Sequence, residues 1–308
     1  MPTALVTGAH GFLGRHFAAR LAREGWRVVG LGHGDWSPAQ ALDWGVCEWI
    51  PGDINAATLR RALSLGMPAL VFHAGGGGSV QAAQHDPAAD LRRSVLALGD
   101  VLDALREFTP ESRLIFPSSA AVYGACPDES LHEDRPLAPV SLYGVHKAMS
   151  ETLIRGHVAA YGLRAAIVRY FSVYGRGLRK QLLWDVCCRL EQARSEPIEL
   201  FGDGNETRDM LHVEDAVDIG LRAAKALESD SLLVINGGTG TASTVREIAG
   251  RLAALYGAPE PRFNRRIREG DPRHYRAGMG RCAALGFSPR WRLSAGLEDF
   301  VSWKRSCA

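Results

Sequence analysis

The chain has 308 residues, of which 46% are hydrophobic and 23% charged, and its formal net charge at pH 7 is +2. A chain of this length can bury one large core or two smaller ones. The near balance of charge gives no sign of a nucleic-acid or membrane partner, and we expect neither. Almost all basic residues are arginines, so a lysine within a specific pattern is informative. The lysines are Lys147, Lys180, Lys225 and Lys304.

The six cysteines show neither a C-x-x-C pair nor another spacing typical of metal ligands. We predict reduced core or surface residues, with no disulfide and no metal site. The first residues carry no charged leader and no long apolar run. We therefore expect no export signal, no spanning helix and a cytoplasmic location.

A glycine-rich turn follows the first predicted strand. Residues 4–6 are a short apolar run, residues 7–14 read Thr-Gly-Ala-His-Gly-Phe-Leu-Gly, and residues 15–24 have a helical pattern. Glycines at 8, 11 and 14 allow a tight turn, close approach of the backbone to a pyrophosphate, and packing of helix on strand. The N-terminus of the helix adds unpaired N–H groups and a partial positive charge. The segment therefore predicts a dinucleotide-binding turn.

Short apolar runs alternate with longer helical patterns through the first half of the chain. Residues 87–108 and 143–161 have helical spacing and are too long for strands. This alternation predicts an α/β fold, a Rossmann-like doubly wound parallel sheet whose ligands bind beyond the carboxyl ends of its strands. Besides residues 4–6, the predicted strands are residues 26–31, 47–50, 69–72, 113–116 and 165–168.

The alternation becomes irregular after about residue 170. The pattern predicts a helix at residues 178–195, a strand and turn at residues 197–207, and one more core strand at residues 232–236. We predict a dinucleotide-binding Rossmann domain at residues 1–170 and a smaller, mainly substrate-binding C-terminal α/β domain at residues 171–308. Segments such as residues 212–238 are expected to return to the Rossmann domain.

Tyr143 and Lys147 are four residues apart in a predicted helix, so both side chains can point into one cleft. A tyrosine alone is a poor base at neutral pH, because its usual pKa is about 10. A neighbouring cation favours the phenolate and lets the tyrosine exchange a proton with an alcohol. Ser118 and Ser119 follow the strand at residues 113–116, where a hydroxyl can hydrogen-bond the oxygen of a reacting alcohol or ketone. Four glycines at residues 75–78 follow another strand, a position that favours backbone close to a cofactor over a merely flexible loop.

The chain resembles the extended short-chain dehydrogenases/reductases, a group of nucleotide-sugar epimerases, dehydratases and 4-keto reductases. The resemblance runs nearly end to end. Beyond the glycine turn and the Tyr143–Lys147 pair, it is carried by residues 52–54, 117–124, 169–175, 201–209, 212–215 and 268–271. It implies that Ser119, Tyr143 and Lys147 are the catalytic residues.

The resemblance also assigns ligand-binding residues. Those for the cofactor, NAD or NADP, are Gly8, Gly11, Phe12, Leu13, Gly14, His33, Asp53, Ile54, Ala74, Gly75, Tyr143, Lys147 and Phe171. Those for a nucleotide-diphosphate sugar are Ser118, Ser172, Arg208 and Arg268. Guanidinium groups suit the two phosphates of such a sugar, and the alternative for both arginines is an ion pair with Asp209 or Asp271.

Departures from the family pattern narrow the reaction. Ala120 and Ala121 stand where the family's dehydratases have an aspartate–glutamate pair, and alanine can move no proton. Dehydration and decarboxylation are therefore not expected. We predict a C4 epimerase that works through a transient 4-keto intermediate. The alternative is an NADPH-dependent reductase of 4-keto-6-deoxy nucleotide sugars, and a third reading is a non-catalytic NAD(P)-binding regulator.

The choice of cofactor and sugar stays open at this point. NAD-binding relatives end the second strand with an acid, whereas this chain has Gly32 and His33 there and its first acid at Asp35. The absence of an acid at Gly32 and His33 favours NADP, while residues 117–124 resemble those of the family's epimerases more closely. Two asparagines of the family are Ser94 and Ser172 here, which leaves the sugar undefined. The helices at residues 87–108 and 143–161 resemble those of the family's dimer interface and predict a homodimer.

Overall fold

The computed structural model describes residues 1–125, 130–193, 196–266 and 273–307. Arg268, assigned above to the substrate phosphates, lies outside the described residues, and so does Asp271. Within these ranges, no helix combines the length and the apolar character needed to cross a membrane.

Strands and helices alternate along the first part of the chain. In order they are β1 (Thr3–Thr7), α1 (Phe12–Arg23), β2 (Arg27–Gly32), α2 (Pro38–Asp43), β3 (Val46–Pro51), α3 (Ala56–Ser64), β4 (Leu70–His73), α4 (Val80–His85), α5 (Pro87–Leu91), α6 (Ala97–Phe108), β5 (Arg113–Ser119), α7 (Leu142–Tyr161) and β6 (Arg164–Tyr170). A π-helical turn (Arg92–Leu96) joins α5 to α6, and a 3₁₀ turn (Ala120–Tyr123) follows β5.

The later elements are shorter and less regular. They are β7 (Ser172–Tyr174), α8 (Gln181–Ala193), β8 (Glu199–Leu200), β9 (Thr207–His212), α9 (Val213–Ala226), β10 (Leu232–Gly237), β11 (Ala242–Thr244), α10 (Val245–Tyr256), β12 (Arg262–Phe263), α11 (Gly280–Ala284) and α12 (Leu293–Ser306).

The chain divides into two compact units. The first contains Met1–Gly124, Pro136–Arg169 and Val217–Ile235, and the second contains Ala125–Arg135, Tyr170–Ala216 and Asn236–Ala308. The first unit thus includes one late segment of the chain, Val217–Ile235. The segment Ala125–Arg135 groups with the second unit, which the sequence analysis did not anticipate. The assignment of cofactor and substrate to different domains stays a prediction.

The first unit is built on the seven-stranded sheet, whose strand order is β10-β6-β5-β4-β1-β2-β3. The pairs from β3 to β5 in this order are parallel. Chain order reverses at β1, which lies between β2 and β4. In such sheets, ligands bind in the crevice beyond the carboxyl ends of the strands at the reversal. The predicted doubly wound fold is confirmed.

Apolar side chains on both faces of the sheet form the core of the first unit. Phe17 of α1 stacks on Phe72 of β4 with ring centres 3.6 Å apart. Leu98 and Leu102 of α6 and Ile154 of α7 are in a cluster with the strand residues and are at most 1% exposed. Burial on both faces explains why the strands read as continuous apolar runs in the sequence.

The helix predicted at residues 87–108 is interrupted. The segment consists of α5, the π-helical turn and α6. Inside the π turn, Ser94 Oγ accepts a hydrogen bond from the backbone N–H of Gly77 at 2.9 Å. A π turn inserts an extra residue and redirects side chains, and such turns occur often at functional sites.

The second unit contains two small sheets. In one, β9 pairs in parallel with β7 and antiparallel with β11, and in the other β12 is parallel to β8. Asp209 of β9 is fully buried. Its carboxylate accepts the backbone N–H groups of Thr239, Gly240 and Ala277 at 2.7–3.0 Å. This carboxylate therefore fixes the glycine-rich loop that follows β10.

Candidate active site

The glycine-rich turn between β1 and α1 leaves no room for side chains. Gly8 has φ +67, and a Cβ on Gly14 would lie only 2.1 Å from the carbonyl oxygen of Gly8. The N–H of Gly11 donates to that same oxygen at 2.9 Å. Backbone atoms cannot yield as a flexible side chain can, so these positions require glycine.

The N-terminus of α1 is open to an anion. Gly11 is its N-cap and makes no side-chain capping bond, and the first turn contains no acidic residue. By contrast, Ser37, Asn55 and Thr244 cap α2, α3 and α10 with their own side chains. Unpaired N–H groups and the helix dipole at an uncapped N-terminus suit a pyrophosphate. The residues at this turn fit the phosphates of a dinucleotide.

Three further predicted cofactor residues lie beside this turn. The N–H of Ala74 donates to the Thr7 carbonyl oxygen at 3.0 Å, and a Cβ on Gly8 would meet Ala74 at 2.7 Å. A Cβ on Gly75 would lie 2.0 Å from the end of the Ile54 side chain. The turns after β1, β3 and β4 therefore meet at the reversal point of the sheet, as the dinucleotide-binding interpretation predicts.

His33 and Asp53, also predicted to contact the cofactor, form a pair at the ends of β2 and β3. The Nε2 atom of His33 is 2.8 Å from Oδ1 of Asp53. The two side chains are 68% and 75% exposed. Each remains accessible to a ligand, and the carboxylate brings negative charge next to the imidazole.

Ser119, Tyr143 and Lys147 come together in the first unit. Ser119 ends β5, its side chain hydrogen-bonds Tyr143, and its Oγ accepts the N–H of Ala121 at 3.2 Å. In α7, the Nζ of Lys147 lies 5.9 Å from the centre of the Tyr143 ring. This Nζ donates to the carbonyl oxygen of Pro117 at 2.8 Å. Serine, tyrosine and ammonium therefore form one connected group.

Burial shifts the proton affinities of this group. It raises the pKa of Tyr143, and the hydrogen bond with Ser119 opposes that shift. Burial also lowers the pKa of Lys147 to about 8, while the carboxylates of Asp90 and Glu151 oppose this shift. At neutral pH an ammonium therefore lies beside a protonated phenol. The positive charge favours the phenolate, so the arrangement can move a proton to and from an alcohol.

A buried ion pair supports the catalytic helix from the side of β6. Glu151, four residues after Lys147, accepts Arg169 Nε at 3.0 Å and Nη2 at 2.8 Å. Ser118 Oγ donates to the same carboxylate at 2.6 Å, and Arg169 Nη1 donates to the hydroxyl of Tyr123 at 3.1 Å. The hydroxyl proton of Ser118 is thus held by Glu151, and its predicted contact with substrate stays a prediction.

Glu151 is a functional residue that was not predicted from the sequence. Its signal was its spacing, because a residue four positions after Lys147 lies on the same face of the helix. His73 is a second such group. Its Nδ1 lies 2.7 Å from the Thr7 hydroxyl, and burial, followed by the charge of Lys147, lowers its pKa to about 3. His73 is therefore a neutral imidazole at the end of β4.

Other predicted residues belong to the second unit. Phe171 is 8% exposed, its N–H donates to the Gly237 carbonyl oxygen at 2.9 Å, and its ring is in edge contact with Tyr275. Ser172 begins β7 and is partly exposed. Arg208 in β9 is partly exposed and donates to the carbonyl oxygen of Thr207 at 2.9 Å. Their roles in binding cofactor and substrate stay predictions.

The site geometry agrees with the comparisons to known proteins. A family model described as the NAD dependent epimerase/dehydratase family matches residues 4–236. The chain belongs to this family. It is 32% identical to a UDP-glucose 4-epimerase of Azospirillum brasilense, over 99% of this chain and 92% of the relative. It is 30% identical to a UDP-glucose 4-epimerase of Mycolicibacterium smegmatis, over 98% of each.

Solved structures show the same fold over the whole chain. MoeE5 in complex with UDP-glucuronic acid and NAD superposes with a TM-score of 0.89 at 30% identity, covering 100% of both chains. The UDP-glucose 4-epimerase of Thermotoga maritima in complex with UDP-glucose gives a TM-score of 0.89 at 27% identity, covering 99% of both chains. The predicted family resemblance and fold class are confirmed. The comparisons also confirm the predicted class, which is an enzyme of the nucleotide-sugar epimerase group with a nicotinamide dinucleotide as cofactor.

Proposed function

We propose that this protein is an NAD-dependent C4 epimerase of a UDP-sugar. The observation that carries the proposal is the Ser119–Tyr143–Lys147 group, in which the Lys147 side chain is buried, with two alanines directly after Ser119. Ala120 and Ala121 form part of the 3₁₀ turn directly after Ser119. A site with one proton-transferring tyrosine and no acid or base at the two positions directly after Ser119 suits reversible oxidation of an alcohol, whereas dehydration needs further proton transfers.

The residues of this chain move one proton at the sugar. Tyr143, as phenolate, takes the proton of the C4 hydroxyl, and Ser119 hydrogen-bonds the same oxygen and orients it. A bound nicotinamide would supply the redox chemistry, which is the reversible exchange of a hydride with C4. Tyr143 gives the proton back to the C4 oxygen as the alcohol re-forms. Lys147 favours the phenolate throughout because its ammonium lies beside the ring.

The pair at the ends of β2 and β3 favours NAD over NADP. His33 is the basic residue at the position where a 2′-phosphate would lie, and Asp53 already bonds it at 2.8 Å. A 2′-phosphate there would meet the negative charge of Asp53, whereas the hydroxyls of an unphosphorylated ribose can donate to a carboxylate. In the sequence, His33 favours NADP only as long as its partner Asp53 is not taken into account.

Arg208 and Arg268 are assigned to the diphosphate, and Ser172 to the sugar. These assignments follow the family pattern and the similarity to MoeE5 and the Thermotoga maritima enzyme, whose structures contain UDP-sugars. The expected partner is a second copy of the chain. The hydrophobic side chains Leu96, Phe108, Leu142, Met149 and Tyr161 of α6, α7 and the adjacent turn are 38–58% exposed, which suits a helix-paired homodimer. A cytoplasmic location follows from the same proposal.

The test uses the purified protein without added cofactor. Interconversion of UDP-glucose and UDP-galactose is followed by chromatography, and the dinucleotide released on denaturation is identified by mass spectrometry. We expect turnover and released NAD. Tyr143→Phe should lower kcat by about 10²–10⁴-fold while retaining NAD, whereas Tyr161→Phe, at a 54% exposed tyrosine in the same helix, should behave as wild type. Released NADP with consumption of NADPH by a 4-keto sugar would instead establish the reductase.

A further inference from the structure

A buried histidine–carboxylate pair lies next to the catalytic tyrosine and lysine. His146 precedes Lys147 in α7, and its Nδ1 is 2.5 Å from Oδ2 of Asp90 in α5. The two side chains are 8% and 4% exposed. An ionised carboxylate can only accept hydrogen bonds, so Nδ1 carries the proton and donates it. The mechanism described above uses neither residue.

Asp90 also packs against the glycine loop that follows β4. A Cβ built on Gly77 would lie 1.7 Å from Oδ1 of Asp90, so this oxygen occupies the space that a side chain would fill. The N–H of Gly77 is bonded to Ser94, one turn along from Asp90. One carboxylate therefore contacts both the catalytic helix and the loop at residues 75–78.

The charge of Asp90 acts on both catalytic groups. After the larger effect of burial, it raises the pKa of Tyr143, and it opposes the loss of the proton that burial imposes on Lys147. Tyr143 and Lys147 are also influenced by other groups. These include Glu151 of α7, His73 of β4, and the Pro117 carbonyl and Ser119 hydroxyl of β5. On the neighbouring α4 and π turn, His85, Arg92 and Arg93 are exposed.

We propose that Asp90 and His146 are a positioning pair for the reaction: Asp90 sets the charge around Tyr143 and Lys147, and His146 holds the Asp90 carboxylate in place by donating its Nδ1–H. The proposal rests on the proposed function, because it acts through the two residues assigned to proton transfer. Its distinguishing consequence is a displaced pH dependence. A merely structural contact would change stability or kcat and leave the pH dependence where it is.

The first test is Asp90→Asn, which removes the charge, keeps the shape and can still accept the hydrogen bond of His146. Without the negative charge, Tyr143 ionises more readily and Lys147 loses its proton more readily. Both limbs of the pH profile of kcat should therefore move to lower pH, by about 1 unit. Asp103→Asn, the same change at a 65% exposed side chain in α6, should leave both limbs in place.

Two variants of His146 separate its hydrogen bond from its bulk. His146→Asn places an amide N–H near the position of Nδ1 and should keep the wild-type profile. His146→Leu removes this donor, so the carboxylate of Asp90 is no longer held in its place beside the catalytic helix. Its pH profile should therefore resemble that of Asp90→Asn. A wild-type profile for a folded His146→Leu would refute the role assigned to His146.

A titration that needs no turnover tests the coupling separately. The ultraviolet absorbance of phenolate is followed against pH with NAD present, and each protein is compared with its own Tyr143→Phe counterpart to isolate Tyr143. We expect the midpoint to fall in Asp90→Asn and to stay unchanged in Asp103→Asn. Superimposable titrations and pH profiles, with only stability or kcat reduced, would overturn the proposal. A shifted titration in a protein without epimerase activity would overturn the proposed function and support the coupling.

Discussion

Replacing Arg169 by methionine should greatly lower the urea concentration at which the first unit unfolds. Arg169 and Glu151 are 2% and 1% exposed, and Arg169 supplies three of the N–H···O contacts to Glu151. Without it, the carboxylate keeps Ser118 as its donor and stays buried without the opposite charge that was directly bonded to it. Removing one partner of a buried pair costs about 3–5 kcal/mol, and Glu151→Met should cost a similar amount for the converse reason.

The double variant Glu151→Met/Arg169→Met decides whether this reasoning holds. Replacing both charges by apolar side chains removes the unpaired ion, and the remaining cost is the lost hydrogen bonds of Ser118 and Tyr123, about 1 kcal/mol each. The double variant should therefore be at least about 3 kcal/mol more stable than the sum of the single effects predicts. Urea unfolding followed by circular dichroism measures this coupling.

The exposed pair Asp103–Arg106, with side chains 65% and 42% exposed, is the matched control for the same double-mutant cycle. Its coupling should stay below about 1 kcal/mol. Additive effects at Glu151 and Arg169, or single costs below about 1 kcal/mol, would show that the buried pair is not held by mutual charge neutralisation.

Four further outcomes are expected. Gly14→Ala puts a Cβ 2.1 Å from a backbone oxygen of the phosphate turn, so NAD affinity measured by fluorescence titration should fall by about 100-fold or more. Gly250→Ala, in α10 with nothing within 4 Å of the added Cβ, should keep NAD affinity and raise stability by about 0.5–1 kcal/mol. Lys147 is protonated below its pKa of about 8 and neutral above it, so initial rates should fall as pH rises through that value. Initial rates that do not change across this pH range would contradict the role of Lys147. Met149→Glu, at a side chain 42% exposed in α7, should convert a dimer seen by light scattering into a monomer, and a monomeric wild type would refute the proposed interface.

The sheet could be predicted because its strands are buried on both faces. Such strands appear in sequence as short apolar runs, and the run at residues 113–116 lies inside β5 while the run at residues 165–168 lies inside β6. The glycine turn could also be predicted from the sequence, since close backbone contacts require glycine at fixed positions. The glycine turn depends on contacts between residues close together in the chain, and the strands depend on the burial of both faces along their length.

Contacts between distant residues could not be derived in the same way. The bond between His146 and Asp90 joins residues 56 positions apart, and the bond between His33 and Asp53 joins residues 20 positions apart. The second pair bears on the choice between NAD and NADP, which the sequence left open, because His33 alone suggests a binding site for phosphate. The helix break at residues 92–96 was missed for a similar reason, since Ser94 fits a helical pattern and its bond to Gly77 is invisible in sequence.

The order of segments along the chain has a consequence for biosynthesis. The first unit takes its last segment, Val217–Ile235, from beyond a long stretch of the second unit. That segment contains most of β10, the edge strand next to β6. A nascent chain on the ribosome therefore cannot complete this sheet until residue 235 has been translated. An expression product shortened to 170 residues would therefore lack strand β10, which the rest of its sequence cannot replace. The family model likewise extends to residue 236.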